Sequence, residues 1–208
     1  MHVNKKIVLF LVAENNSGKT FLADHLIKVI ANASHYSVRK KIQDMFEGDT
    51  KQKITNDRTH LQRYSESMKA EYGPRIFIHH TVAAFNRSAF DVAVIESVRA
   101  PGEAEWIQSR EFEKEFPNII PLLIGVTAPL RQRLRRFLSP RPDNIASSLT
   151  PEEFRRHEEI ANHGKELHEE NIGVTMLYTN FIVTNVDGKV HESVEKIREA
   201  LSELCSPA

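Results

Sequence analysis

Residues 13–20 read Ala13-Glu14-Asn15-Asn16-Ser17-Gly18-Lys19-Thr20, and their surroundings decide the fold. The six residues before them, 7–12, are all apolar, which is typical of a strand buried on both faces. After them, apolar residues recur at helical spacing: Phe21, Leu22, Leu26, Val29 and Ile30. A buried strand, a polar turn and an amphipathic helix in this order form the setting that a phosphate-binding loop requires.

The residue types of this loop suit a nucleotide triphosphate. Gly18 has no side chain, so phosphate oxygens can approach its backbone closely. The first N–H groups of the helix lack helical partners, and the helix dipole favours an anion there. Lys19 brings a positive charge to the β- and γ-phosphates, and the Thr20 hydroxyl is a ligand for Mg²⁺. We expect the ATP-binding residues to be Asn15, Asn16, Ser17, Gly18, Lys19, Thr20 and Phe21.

The composition predicts one globular domain without a polyanionic partner. The chain has 208 residues, 40% of them hydrophobic, with 28 Lys and Arg against 28 Asp and Glu. A neutral balance gives no reason to expect a nucleic-acid polymer or a membrane surface as partner. One cysteine, Cys205, cannot form an internal disulfide, so we expect a cytoplasmic protein. The apolar run near the N-terminus resembles a signal peptide, but it leads directly into the loop.

Strands alternate with helices along the chain, which predicts a parallel sheet with right-handed crossovers. We expect the second strand over 36–38, a loop over 48–55, the third strand over 91–95 and the fourth over 118–126. Residues 174–177 and 181–184 are expected to return the chain to the sheet. The helix after Thr150 is expected to pack through Phe154, Ile160 and Leu167.

Charged residues follow three of these strands, where ligands bind in open α/β sheets. Arg39 follows the second strand, and Glu96 and Arg99 follow the third. An acid in the position of Glu96 is expected to hold the shell of a magnesium ion. Arg133 and Arg136, three residues apart after the fourth strand, share a helix face. None of the ten histidines has the spacing of a zinc site.

By these residues the chain resembles the P-loop nucleoside monophosphate kinases, nearest to their dephospho-CoA kinase-like and deoxynucleoside monophosphate kinase-like branches. Four segments carry the resemblance: the loop 13–20, Arg58-Thr-His-Leu-Gln62 with Glu71-Tyr72-Gly73-Pro74, Glu96-Ser-Val-Arg99-Ala-Pro-Gly-Glu103, and Thr127-Ala-Pro129 with Arg133 and Arg136. The chain departs from the family pattern at two positions, with Ala13 in place of Gly and Glu96 in place of Asp.

The resemblance implies an α/β, three-layer P-loop NTPase fold with a central, mainly parallel sheet. It also implies an acceptor-binding insert over 39–75 and a lid region over 130–160, within one domain of 1–208. The phosphate of a nucleoside monophosphate would be held by Arg39, Arg58, Gln62 and Arg99. The catalytic residues would be Lys19, Arg99, Arg133 and Arg136, with Mg²⁺ held by Thr20 and Glu96.

Two alternatives stay open on the sequence. Within kinases, dephospho-CoA is the second candidate acceptor. Outside enzymes, the chain could be an ATP-binding regulatory module, although such a module has no need of Arg58 and Arg99. The absence of an Asn-Lys-x-Asp sequence argues against a GTPase. We expect ATP and a small phosphorylated acceptor as partners, and a monomer or a homodimer.

Overall fold

The computed structural model of the protein describes residues 5–51, 58–139 and 150–205. Five strands form one sheet in the order β2-β3-β1-β4-β5, and each neighbouring pair is parallel. The strands are β1 Lys6–Ala13, β2 Ala33–Ser37, β3 Val92–Val98, β4 Ile119–Thr127 and β5 Phe181–Thr184. The predicted α/β fold with a parallel central sheet is confirmed.

Helices cover both faces of this sheet. They are α1 Lys19–Val29, α2 Val38–Thr50, α3 Arg58–Tyr72, α4 Ile76–Asn86, α5 Pro101–Ile107, α6 Arg110–Glu115, α7 Leu130–Leu138, α8 Pro151–Ala161, α9 Ile172–Met176 and α10 Val190–Cys205. Helices α1 and α10 pack on one face, and α4, α5 and α6 pack on the other. Within the described ranges, no helix combines the length and the apolar character needed to cross a bilayer.

Strand β1 lies at the centre of the sheet and supplies both cores. Val8, Phe10 and Val12 pack with α4 and α5, whereas Leu9 and Leu11 pack with α1 and α10. These side chains are fully buried, because successive residues of a central strand point to opposite faces and helices cover both. The apolar run 7–12 therefore holds the phosphate loop at the carboxyl edge of the sheet.

The boundaries differ from the prediction around β2. This strand spans Ala33–Ser37, earlier than the predicted 36–38, and its residues are all half-buried. Because β2 is an edge strand, it carries no run of apolar residues for a pattern to detect. Val38 begins helix α2 instead, since the hydroxyl of Ser37 accepts a hydrogen bond from the backbone N–H of Lys40 at 3.3 Å.

Three further expectations were wrong. Residues 48–50 continue helix α2 rather than forming a loop, and Lys51, with φ 59°, ends it; residues 52–55 of the predicted loop lie outside the described ranges. Residues 174–176 belong to the short helix α9, and only β5 returns to the sheet. Of the side chains predicted to pack after Thr150, Phe154 is buried but Ile160 and Leu167 are about half exposed. Helix α8 ends at Ala161 and does not bring Leu167 onto its packed face.

Candidate functional site

The phosphate loop turns at Asn16 and Gly18. Both have positive φ, 57° and 83°, whereas Ala13 is the last residue of β1 and pairs with Val126. The first position of the motif therefore lies in extended backbone, where alanine is as suitable as glycine. Asparagine is one of the few other residues that adopt a left-handed conformation readily, which explains its place at position 16.

Gly18 is required by a close approach that the sequence did not reveal. A Cβ built at this position would lie 2.5 Å from Nδ2 of Asn185. That buried amide donates hydrogen bonds to the carbonyl oxygens of Ser17 at 2.8 Å and Gly18 at 3.2 Å. Asn185, directly after β5, thus braces the loop across a large separation in sequence.

Helix α1 begins at Lys19 and points its first turn at the loop. Its first intrahelical hydrogen bond runs from Leu22 N to Gly18 O, so the N–H groups of residues 19–21 fall outside the helix's own ladder. This is the arrangement that favours an anion. The side chain of Phe21 is 55% exposed and its ring lies 4.2 Å from that of His25, so Phe21 contributes backbone rather than side chain to this turn.

Glu96 lies within β3, not directly after it. The strand continues to Val98 through a bulge at Ser97, which has φ 78°, and the register shifts between the Leu11–Glu96 and Val12–Val98 pairs. A bulge re-aims the side chains beside it. Oε2 of Glu96 accepts a hydrogen bond of 2.7 Å from the Thr20 hydroxyl.

The electrostatic surroundings keep Glu96 ionised. Burial alone would raise the pKa of this carboxyl group. The contact with His35, the hydrogen bond from Thr20 and the charge of Lys19 together outweigh burial, so the pKa of Glu96 lies below its usual value. The reciprocal contact with Glu96 raises the pKa of His35, against the opposing effect of burial.

Thr20 and Glu96 together fit Mg²⁺ by the chemistry of their donors. A hydroxyl and an ionised carboxylate are hard oxygen ligands, and Mg²⁺ commonly takes one or two protein ligands beside phosphates and water. In the part of the chain that the structure describes, no three His, Cys, Asp or Glu side chains converge to form a metal cage. The pair therefore suits a cation that takes most of its ligands from phosphates and water.

Arg99 connects the phosphate loop to the segment after α8. Its Nη1 lies 2.6 Å from Oε2 of Glu170, and its Nη2 donates to Oδ1 of Asn15 at 3.1 Å. The carbonyl oxygen of Arg99 accepts from the N–H of Asn171 and the hydroxyl of Thr175. Arg99 lies next to the loop, as expected, but its guanidinium pairs with a carboxylate that sequence reasoning did not single out.

Arg133 and Arg136 both contact the phosphate loop from helix α7. Arg133 is buried, forms an ion pair with Glu158 of α8, and lies 3.4 Å from the carboxylate of Glu14. Arg136 donates to the carbonyl oxygen of Asn16 at 3.1 Å.

The carboxylate of Asp187, in the turn after β5, accepts a second hydrogen bond of 2.9 Å from Arg136. It also forms an ion pair with Arg135. The one sequence feature near Asp187 that indicates local structure is the Asn-Val-Asp-Gly pattern after an apolar run, which is typical of a turn.

The expected acceptor residues are only partly described. Arg39 is exposed in the first turn of α2, directly after β2, and thus at the carboxyl edge of the sheet. Arg58 and Gln62 lie on helix α3, but their side chains are outside the described part of the structure. Residues 140–149 of the expected lid region also lie outside it.

A pocket of about 190 Å³ opens beside the first residues of the loop. Its lining includes the polar residues Glu14, Asn15 and Glu158 and the apolar residues Ile172, Met176 and Ile182. Carboxylates only accept hydrogen bonds when ionised. The two carboxylates therefore give this pocket acceptors for a group that donates hydrogen bonds.

The fold is shared with solved structures of low sequence identity. The tunicamycin resistance protein of Deinococcus radiodurans matches with a TM-score of 0.57 and 11% identity, over 95% of this chain and 96% of that one. Shikimate kinase of Acinetobacter baumannii, solved with shikimate, matches with 0.54 and 11%, over 98% and 96%. Shikimate kinase of Bacteroides thetaiotaomicron matches with 0.53 and 13%, over 94% and 98%. No family model and no curated protein sequence matches the chain.

Proposed function

We propose that this chain is an ATP-dependent phosphotransferase that moves the γ-phosphate of ATP to a small acceptor. One observation carries the proposal: the Thr20 hydroxyl donates to the Glu96 carboxylate at 2.7 Å, beside a phosphate loop that two arginines contact. Phosphoryl transfer needs positioning and charge neutralisation more than covalent chemistry, and these residues supply both.

Each residue has a defined part in this proposal. Lys19 and the N–H groups of residues 18–21 bind the phosphates of ATP, whereas the N–H of Ser17 donates to the carbonyl oxygen of Glu14 at 3.2 Å. Thr20 and Glu96 would hold Mg²⁺, which would supply positive charge against the phosphates of ATP. Arg133 and Arg136, which already contact the loop, stabilise the charge that develops on the transferred group. Residues 130–160, which include both arginines, are proposed to act as the lid region.

The acceptor is proposed to be a nucleoside monophosphate, bound by residues of 39–75 and by Arg99. The support is chemical: Arg99 pairs with the carboxylate of Glu170, and a phosphate oxygen is an equivalent partner for a guanidinium. Arg58 and Gln62, one turn apart on α3, are proposed to donate further hydrogen bonds to that phosphate. Dephospho-CoA is the alternative acceptor, since it offers a phosphorylated group of the same charge class.

A coupled assay of ADP release tests this proposal. The wild-type protein is given Mg²⁺ and ATP with each nucleoside monophosphate, with dephospho-CoA and with shikimate, beside a reaction without acceptor. We expect one monophosphate to stimulate ADP release. In Lys19→Ala the stimulated rate should be lower by at least about 100-fold. Binding of ATP without stimulation by any acceptor would instead favour the regulatory module.

A further inference from the structure

His35 faces the candidate metal site from the edge of the sheet. Strand β2 pairs with β3 so that His35 lies opposite Val94 and Ser37 lies opposite Glu96. Alternate residues of a strand share a face, so His35 and Glu96 project to the same side. Val94 packs in the core formed with α1, so this side is the one covered by helix α1, whose first turn contains Thr20.

The ring of His35 lies between two carboxylates. Nδ1 is 3.4 Å from Oδ1 of Asp24, which lies one turn after Thr20 on α1. Nε2 is 3.6 Å from Oε1 of Glu96. The other oxygen of Glu96, Oε2, accepts from Thr20. The two oxygens of Glu96 thus have different surroundings, one towards the histidine and one towards the hydroxyl that would bind Mg²⁺.

The contact between His35 and Glu96 is not closed in this structure. Nε2 of His35 is buried and has no hydrogen-bond partner among the described residues. A buried polar nitrogen without a hydrogen bond costs free energy, and Oε1 of Glu96, 3.6 Å away, is an acceptor that could relieve this cost.

We propose that His35 is a positioning residue for the metal carboxylate: anchored by Asp24, it holds Oε1 of Glu96 and thereby presents Oε2 to Mg²⁺·ATP. This inference rests on the proposed function, because it needs Mg²⁺ at Thr20 and Glu96. It assigns a role to β2 that neither the loop motif nor the family resemblance contains. Groups that orient metal ligands in this way typically contribute about 10- to 100-fold to metal affinity.

Three substitutions separate positioning from packing. In His35→Gln the side-chain amide nitrogen lies where Nε2 was, so the contact with Glu96 is kept. In His35→Asn the amide lies where Nδ1 was, so only the contact with Asp24 is kept. His35→Leu fills the space without either contact. Thermal unfolding of the three apo proteins reports any packing defect separately.

The measurement is the Kd of ATP by isothermal titration, with Mg²⁺ and with EDTA, together with Mn²⁺ bound in the ATP complex by electron paramagnetic resonance. We expect His35→Asn and His35→Leu to reduce the metal-dependent gain in ATP affinity by about 10-fold or more, and His35→Gln to retain most of it. The Kd of ATP in EDTA should stay close to that of the wild type in all three.

Two results would overturn the inference. In one, His35→Asn and His35→Gln bind the metal equally well. In the other, all variants lower the affinity for ATP by the same factor with and without metal, which indicates that His35 contributes to packing alone. If the wild-type protein shows no metal-dependent gain in ATP affinity at all, the proposed function fails together with the inference. A normal gain in the wild type that all three variants preserve removes only the role of His35.

Discussion

Nζ of Lys69, on helix α3, lies 2.7 Å from Oε1 of Glu103, on helix α5, and both side chains are more than nine-tenths buried. The other oxygen of Glu103 accepts from the backbone N–H of Arg99 at 2.9 Å and of Ala100 at 3.1 Å. One carboxylate therefore joins the helix that begins with Arg58 to the turn that carries Arg99. The two segments that carry the proposed acceptor residues Arg58 and Arg99 are therefore joined by this buried ion pair.

Lys69→Met is expected to destabilise the protein by roughly 3–5 kcal/mol, because it leaves the charge of Glu103 buried without its partner. Urea denaturation followed by circular dichroism measures this. The matched control is Lys40→Met, which breaks an exposed pair with Asp44 and should leave the free energy of unfolding nearly unchanged. Adding Glu103→Gln to Lys69→Met should restore part of the loss; equal costs for the two single lysine variants would contradict the buried ion pair.

Gly18→Ala is expected to disrupt the phosphate loop. A positive φ costs a non-glycine residue about 1–2 kcal/mol, and the new Cβ would also displace Asn185. ATP affinity, measured by isothermal titration, should fall steeply. Gly48→Ala is the control, since a Cβ there meets nothing within 4 Å and Gly48 lies inside helix α2, where alanine stabilises by about 0.5–1 kcal/mol. Normal ATP binding by Gly18→Ala would sink the close-approach argument.

Glu96→Gln is expected to weaken phosphoryl transfer while leaving ATP binding without metal nearly unchanged. The substitution keeps the shape of the side chain but removes the charge that Mg²⁺ needs, and its amide can still pair with Thr20. Activity across a Mg²⁺ titration, beside the Kd of ATP in EDTA, checks this. If the variant follows the wild-type Mg²⁺ curve, the carboxylate of β3 has a different role.

Arg58→Ala is expected to affect the acceptor and not ATP. The acceptor KM should rise, and kcat/KM for the acceptor should fall by an equivalent of about 2–4 kcal/mol, the scale of a lost charge-assisted contact. The Kd of ATP should change far less. Steady-state kinetics in both substrates gives the acceptor KM and kcat/KM, and titration with ATP alone gives the Kd of ATP. Equal weakening of both substrates would remove the separate acceptor site.

Arg99→Ala should give a less selective defect, for a reason visible in the structure. Its guanidinium holds Asn15 of the phosphate loop as well as Glu170. Removing the guanidinium takes a partner from both Asn15 and Glu170, so we expect the Kd of ATP to rise along with the acceptor KM. An acceptor-only defect in Arg99→Ala would show that the contact with Asn15 is dispensable for ATP binding.

The sequence by itself determined the centre of the fold. The apolar run 7–12, the loop after it and the alternation of strands and helices are local patterns, and each follows from the periodicity of buried side chains. Because parallel strands bring their carboxyl ends to one edge, the same patterns also brought Thr20 and Glu96 together. Edge strand β2 escaped this reading, since a half-buried strand carries little apolar signal.

Only the tertiary structure decided which distant side chains complete the site. Asn185 reaches the carbonyl oxygen of Ser17 across 168 residues, Lys69 meets Glu103, and His35 lies between Asp24 and Glu96. These residues share no motif with their partners. Strand register, the bulge at Ser97 and the packing of helices on the sheet set their contacts, and periodicity within a short segment carries no information about any of these.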